Sequence, residues 1–283
     1  MATFTNYATL SYNGVMRTSN TVTGEFLETL SGEKTALTGQ YNPDRDITYV
    51  ISLVNSGTTA LSGLTVTDDM GGYSFGTETL YPLEYKEGSL RYYVGGVLQA
   101  TPAVTAGPPM VISGISVPAG GNAILIYEAE VTDYAPLTAE ATVTNTATVS
   151  GGGLVTPLEL SETVVAGTSA DLSISKAISP ATVTENGQLT YTFVIENLGN
   201  TAAVAADNII LADDFNPILD PITVTYNGTV WSEGTNYTYD ETTGEFETLP
   251  GQITVPAASF TQNEDGTWTV VPGTAVVVVS GTV

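Results

Sequence analysis

The stretch ITYVISLVNSGTTALSGLTVTDD, Ile47 to Asp69, decides the fold. Its first nine residues put Ile47, Tyr49, Ile51 and Leu53 at every second position, the period of two that a half-buried strand requires. Asn-Ser-Gly-Thr-Thr then marks a turn, and a second alternating run ends in a pair of acids. The same pattern returns as LTYTFVIENLGNTAAVAADNIILADD, Leu189 to Asp214, with a small insertion. The matches continue outward. LSGEKTAL (Leu30 to Leu37) is echoed by LSISKAIS (Leu172 to Ser179), and VPAGGNAILIYEAEV (Val117 to Val131) by VPGTAVVVVSGTV (Val271 to Val283). Two copies of one β unit in 283 residues predict two domains of ordinary size.

The chain is rich in Thr, Val, Gly and Tyr, and no apolar run has helical spacing, so the expected class is all-β. Six basic residues face thirty acidic ones, for a net charge of −24. That balance repels nucleic acid and anionic membrane surfaces, so neither is an expected partner. No segment has membrane-spanning length. Cysteine and histidine are both absent, which removes thiol chemistry, most hydrolase triads and zinc sites. No cofactor, metal or enzymatic activity is expected. The acid pairs Asp68–Asp69 and Asp213–Asp214 lack the spacing of a calcium loop. Tyr81, Tyr85, Tyr92 and Tyr93 form a conceivable carbohydrate platform, although sandwich faces use tyrosine routinely. MATFTNYATL is not an ordinary secretory signal, and no LPxTG-type wall-sorting motif is present. The expectation is a trimmed chain or a route such as lysis of the producing cell.

The lysine of the opening strand, TYxxxxxNxG, the TDD or ADD strand end and the late NTATV strand resemble the conserved-repeat domain of bacterial surface proteins, called domain of unknown function 11. The resemblance covers nearly the whole chain. It implies two tandem immunoglobulin-like antiparallel β-sandwiches and an extracellular place on a bacterial cell or spore surface. The expected divisions are residues 1–28 as N-terminal donor strands, 29–167 as the first sandwich and 168–283 as the second.

The phase of the repeat carries the functional expectation. Copy one runs on after Val131 through two further strands, around Val143 to Val149 and Leu158 to Val165, whereas copy two reaches Val283 where they would begin. TFTNYATLS (Thr3 to Ser11) matches TVTNTATVS (Thr142 to Ser150), and Ser19 to Thr23 matches Ser161 to Val165. In the first strand Phe4, Asn6, Ala8 and Leu10 share a face, as Val143, Asn145, Ala147 and Val149 do. Phe4, Asn6, Ala8, Leu10 and Val22 are therefore the expected polymerisation interface. Burying Phe4 and Leu10 contributes roughly 3–6 kcal/mol before entropic costs. Fold-back within one chain and insertion into the second domain of a neighbour both remain open. Insertion is a head-to-tail contact that gives open filaments. The expected function is a structural subunit of an extracellular fibre, a homopolymer; the alternative is a monomeric cell-surface adhesin or carbohydrate-binding stalk module.

Lys34 and Lys176 occupy equivalent places, and Asp68, Asp213, Asn145 and Asn6 lie on core-facing parity. A buried Lys, Asp and Asn resemble the isopeptide-forming trio of collagen-adhesin-type pilin domains. Burial favours the neutral amine of Lys, and a protonated Asp can polarise the Asn carbonyl as ammonia leaves. The first trio is Lys34, Asp68 and Asn145. Lys176 and Asp213 have only Asn6 to complete theirs. A one-residue slip in parity would put Asp69 and Asp214 in place of Asp68 and Asp213.

Overall fold

A computed structural model describes residues 3–43 and 45–283. The described chain is all-β apart from one short 3-10 turn, Ala205–Asp207. It divides into two compact units. Unit 1 holds residues 3–136 and 141–166, and unit 2 holds 137–140 and 167–283. The division thus falls one residue ahead of the expected boundary, the short 137–140 segment groups with the second unit, and the leading strands group with the first.

Unit 1 is a sandwich of two sheets. One sheet runs in the order Val97–Leu98, Arg91–Val94, Asn122–Val131, Ile47–Asn55, Leu30–Ala36. The other runs Ala103–Thr105, Met110–Val117, Leu61–Asp68, Thr142–Gly151, Leu158–Ala166, Gln40–Tyr41. Alternation explains the packing: Ile47, Tyr49, Ile51 and Leu53 point inward from one strand and Val143, Ala147 and Val149 from the facing sheet. Each large side chain so buried contributes about 1.5–3 kcal/mol.

The asparagine of TYxxxxxNxG clamps a loop in each unit. Asn55 Oδ1 accepts the Gly57 N–H, and Asn55 Nδ2 donates to the carbonyls of Thr59 and Pro118. Asn197 repeats this with Gly199, Thr201 and Pro256. Pro256, and the bridge between Ala203 and Val255, make Val255–Pro256 the counterpart of Val117–Pro118. The sequence match to Val271–Pro272 is therefore corrected. Its apolar strand is right, but a hairpin of Ser259–Gln262 and Trp268–Val271 is inserted ahead of it. A second Val-Pro pair close to the strand hid that insertion.

Unit 2 has one complete sheet: Leu172–Ser179, Gln188–Asn197, Gly273–Thr282, Ile222–Tyr226, Thr229–Val230. Its facing sheet has three short strands, Ala212–Asp214, Glu245–Thr248 and Tyr237–Tyr239. In unit 1 the corresponding strand Leu61–Asp68 is paired on both sides, by Met110–Val117 and by Thr142–Gly151. Among the described residues, Ala212–Asp214 pairs on one side alone, with Glu245–Thr248.

The leading residues form a separate hairpin. Thr3–Asn6 pairs with Val22–Glu25, and Thr9–Tyr12 pairs with Val15–Thr18 across an Asn13-Gly14 turn. Both turn residues have positive φ, 48° and 78°, as a two-residue hairpin turn requires. Phe4, Leu10, Met16 and Val22 are all exposed, at 47%, 67%, 70% and 56%. Apolar side chains this open are out of place in a finished sandwich.

Candidate cross-linking site

In unit 1 the opening strand Leu30–Ala36 and the Ile47–Asn55 strand place Lys34 opposite Ile51, with Tyr49 on the same inward face. The facing sheet brings Asp68 and Asn145 in from neighbouring strands, since Ala147 is the register partner of Asp68. Lys34 Nζ lies 2.8 Å from Asp68 Oδ2, and both side chains are sealed from solvent. Tyr127 O–H donates to the same oxygen at 2.5 Å, and Asn145 Nδ2 donates to the Tyr127 hydroxyl at 3.3 Å. The Lys34, Asp68 and Asn145 expected from parity therefore surround one point in the core.

Electrostatics at that point are strained. Burial pulls the Lys34 ammonium below its ordinary value, and attraction to Asp68 opposes the shift. The Tyr127 hydroxyl is held well above its usual value, first by burial and then by the Asp68 charge. Burial raises the Tyr49 hydroxyl above its usual value, and interaction with the Asn145 side chain opposes that shift. The neighbouring Asp69 acts elsewhere. Its Oδ1 accepts the N–H groups of Gly71 and Thr146 and ties two strand ends together.

Tyr127 was not among the residues singled out from sequence. Its signal lay in inward parity with Ala123 and Leu125 on a strand already matched between the copies. Its register partner Tyr49 corresponds to Tyr191, whose own partner is Val279, so unit 2 has no counterpart hydroxyl.

Unit 2 repeats half the site. Lys176 lies opposite Phe193 as Lys34 lies opposite Ile51. It is ion-paired with Asp213 over a floor of Tyr191 and Phe215, at 4.4 and 5.7 Å from the ring centroids. The Lys176 side chain is 41% exposed. Leu172, Ile174 and Ile178 on the same strand are exposed at 39%, 57% and 47%. The expectation that LSISK carries a core face is met in sequence phase but not in burial: in unit 1 the strand Leu158–Ala166 lies across this region, and in unit 2 the face is open. Asn6 lies on the exposed leading hairpin, where its register partner is Val22. A separate cavity of about 200 Å³, lined by Phe26, Leu30, Leu61 and Leu158 among others, holds none of these groups.

No family model matches the chain, and no curated protein matches it. Among solved structures it is similar to the collagen-binding domain from a Staphylococcus aureus adhesin, at 12% identity and TM-score 0.31 over 47% of this chain and 96% of that one. It is also similar to the major pilin subunit of Bacillus cereus, at 12% identity and TM-score 0.34 over 88% of this chain. The chain spans 65% of that pilin's length. A third likeness is to the 35 kDa C-terminal fragment of the major pilin of Streptococcus agalactiae, at 10% identity and TM-score 0.36 over 87% and 86% of the two chains. Likeness at this level assigns no residue a role. Among the described residues no helix is long and apolar enough to cross a membrane.

Proposed function

We propose that the chain is a structural subunit of an extracellular bacterial fibre rather than an enzyme. It polymerises head to tail when the leading hairpin of one copy completes unit 2 of the next. One observation carries the reading. Unit 2 leaves Lys176, Asp213 and a one-sided strand edge open at the place where unit 1 closes the same groups with the Asn145 strand. The hairpin carries a matching asparagine, Asn6, among exposed apolar residues. Strand addition would supply backbone hydrogen bonds along the edge and exclude water from the lysine.

Closure also permits a covalent lock. The neutral Lys176 amine attacks Asn6 Cγ, and an N–C bond forms. Asp213 takes the amine proton and gives one to the departing nitrogen, so that ammonia leaves and the carboxyl group is restored. Lys34, Asp68 and Asn145 undergo the same exchange inside unit 1. Contact between the groups supplies the effective concentration that such a slow acyl transfer needs.

Purified chain is expected to form fibres by negative-stain electron microscopy and a ladder of multimers after boiling in detergent. Lys176→Ala should keep fibres and lose the ladder. Intact-mass analysis should show the loss of one ammonia per bond formed. Fibres that persist after residues 1–25 are removed would overturn strand donation.

A further inference from the structure

We propose that the leading hairpin docks in a different internal register from the one it holds alone, so that self-pairing stores the subunit until a partner's edge displaces it. This rests on the fibre reading above.

The docked register follows from unit 1. There Asn145 stands opposite Glu162, and Thr144 opposite Thr163. Asn6 corresponds to Asn145 through the TxTNxAT match. Val22 corresponds to Val164, because each lies twelve residues ahead of its lysine, Lys34 or Lys176. Transferred to the hairpin, this pairing puts Asn6 opposite Asn20, Thr5 opposite Thr21 and Leu10 opposite Met16. The hairpin instead pairs Asn6 with Val22, Thr5 with Thr23 and Leu10 with Arg17. The base is slipped by two residues and the tip by one.

The slip matters because side chains alternate. A one-residue offset at the tip puts Met16 on the face opposite Leu10, whereas the unit 1 register puts Phe4, Leu10, Met16 and Val22 on one face. Their counterparts Val143, Val149 and Val164 are fully or nearly fully buried, and Leu158 packs against the same core. Only the second register presents a continuous apolar face to unit 2, with Ala8 opposite Asp213 as Ala147 is opposite Asp68.

In unit 1 a Cβ on Gly32 would stand 2.6 Å from the Ser52 carbonyl oxygen, 2.9 Å from Leu53 Cδ2 and 3.2 Å from Leu160 Cδ1, so its own sheet crowds this position before the crossing leucine does. In unit 2 the Gly32 position is Ile174, and the incoming residue in the docked register is Thr18. The larger partner thus moves to the opening strand, and the pair as a whole is bulkier, so this contact repacks on docking.

The stored register has its own devices. The Asn13-Gly14 turn fixes the tip. The Ala8 N–H donates to Ser19 Oγ at 2.8 Å, and the Ser19 N–H donates to the Ala8 carbonyl. The Phe4 ring lies on Gly24, where a Cβ would come within 2.3 Å of it, and it packs on Phe26 at 4.9 Å. In unit 1 the Gly24 position is Ala166, which is buried. In the stored register a methyl group at Gly24 would make the exposed Phe4 ring swing aside.

The chain has no cysteine, so paired cysteines report register directly. Thr5→Cys with Thr23→Cys locks the stored register, and Thr5→Cys with Thr21→Cys locks the docked one. All three positions lie on the face turned away from unit 2 when docked. Assembly is followed by light scattering and microscopy, oxidised and reduced. The stored-register pair should stay monomeric when oxidised and assemble when reductant is added, and the docked-register pair should assemble when oxidised. Equal assembly of the oxidised stored-register pair and its reduced form would overturn the register change alone. Failure of both reduced chains to assemble would overturn the fibre reading with it.

Discussion

Lys34 and Asp68 meet where water is excluded, and their energetics depend on having both. Removing one partner of a buried ion pair leaves an uncompensated charge and costs about 3–5 kcal/mol, whereas replacing both with apolar residues is often neutral. Asp68→Ala should therefore lower unit 1 stability more than Lys34→Met with Asp68→Leu, measured by chemical denaturation. Any bond between Lys34 and Asn145 would add to both losses equally. Asn145→Ala, which removes the bond acceptor, exposes the titration of the bare site. Lys34 has its folded value below the ordinary 10.5. Between those two values the unfolded chain binds the extra proton, so unit 1 gains stability as pH rises through that window. Tyr49 and Tyr127 are raised above 10.0, mainly by burial, and act in the opposite sense. Above that value the unfolded tyrosines lose protons that the folded ones keep. Denaturation midpoints of Asn145→Ala should thus climb with pH from the folded Lys34 value and turn down near 10.

Two matching strands, Ile47–Asn55 and Gln188–Asn197, hold their loops through one buried asparagine each. Asn55→Ala removes the hydrogen bonds that hold the Thr59 and Pro118 carbonyls and the Gly57 N–H, at about 0.5–1.5 kcal/mol for each bond lost. Asn197→Ala should do the same to unit 2, and limited proteolysis should cut first in the loop of the altered unit. The short strand Ala212–Asp214 behaves differently because its open edge is an aggregation hazard unless covered. Leu10→Lys on the hairpin, which puts a charge on the covering face, should leave both units folded by circular dichroism and stop fibre growth.

A head-to-tail assembly has a donor end and an acceptor end on every copy. A chain without residues 1–25 keeps its open unit 2 and cannot donate. Added at a low molar fraction to intact chain, it should cap growing ends and shorten fibres in proportion to its share, measured from micrograph length distributions. An inert bystander would leave the lengths unchanged. The net charge of −24 adds a salt dependence. Like-charged subunits repel at low ionic strength, so assembly should quicken as salt is added.

The sequence alone determined the all-β class, the division into two units, and the inward parity that brings Lys34, Asp68 and Asn145 to one point. Period-two alternation fixes which face a residue takes, and a repeat of equal phase carries that face from copy to copy. It could not reveal Tyr127, because nothing local separates a core tyrosine that meets a carboxylate from one that merely packs. It misplaced Val271–Pro272, because an inserted hairpin leaves strand periodicity intact on both sides. The tertiary structure alone decided that Lys176 lies open while Lys34 is sealed, and that the hairpin pairs with itself in a shifted register. Both depend on which strand lies beside which, and long-range pairing is set by packing and turn geometry rather than by any local run of residues.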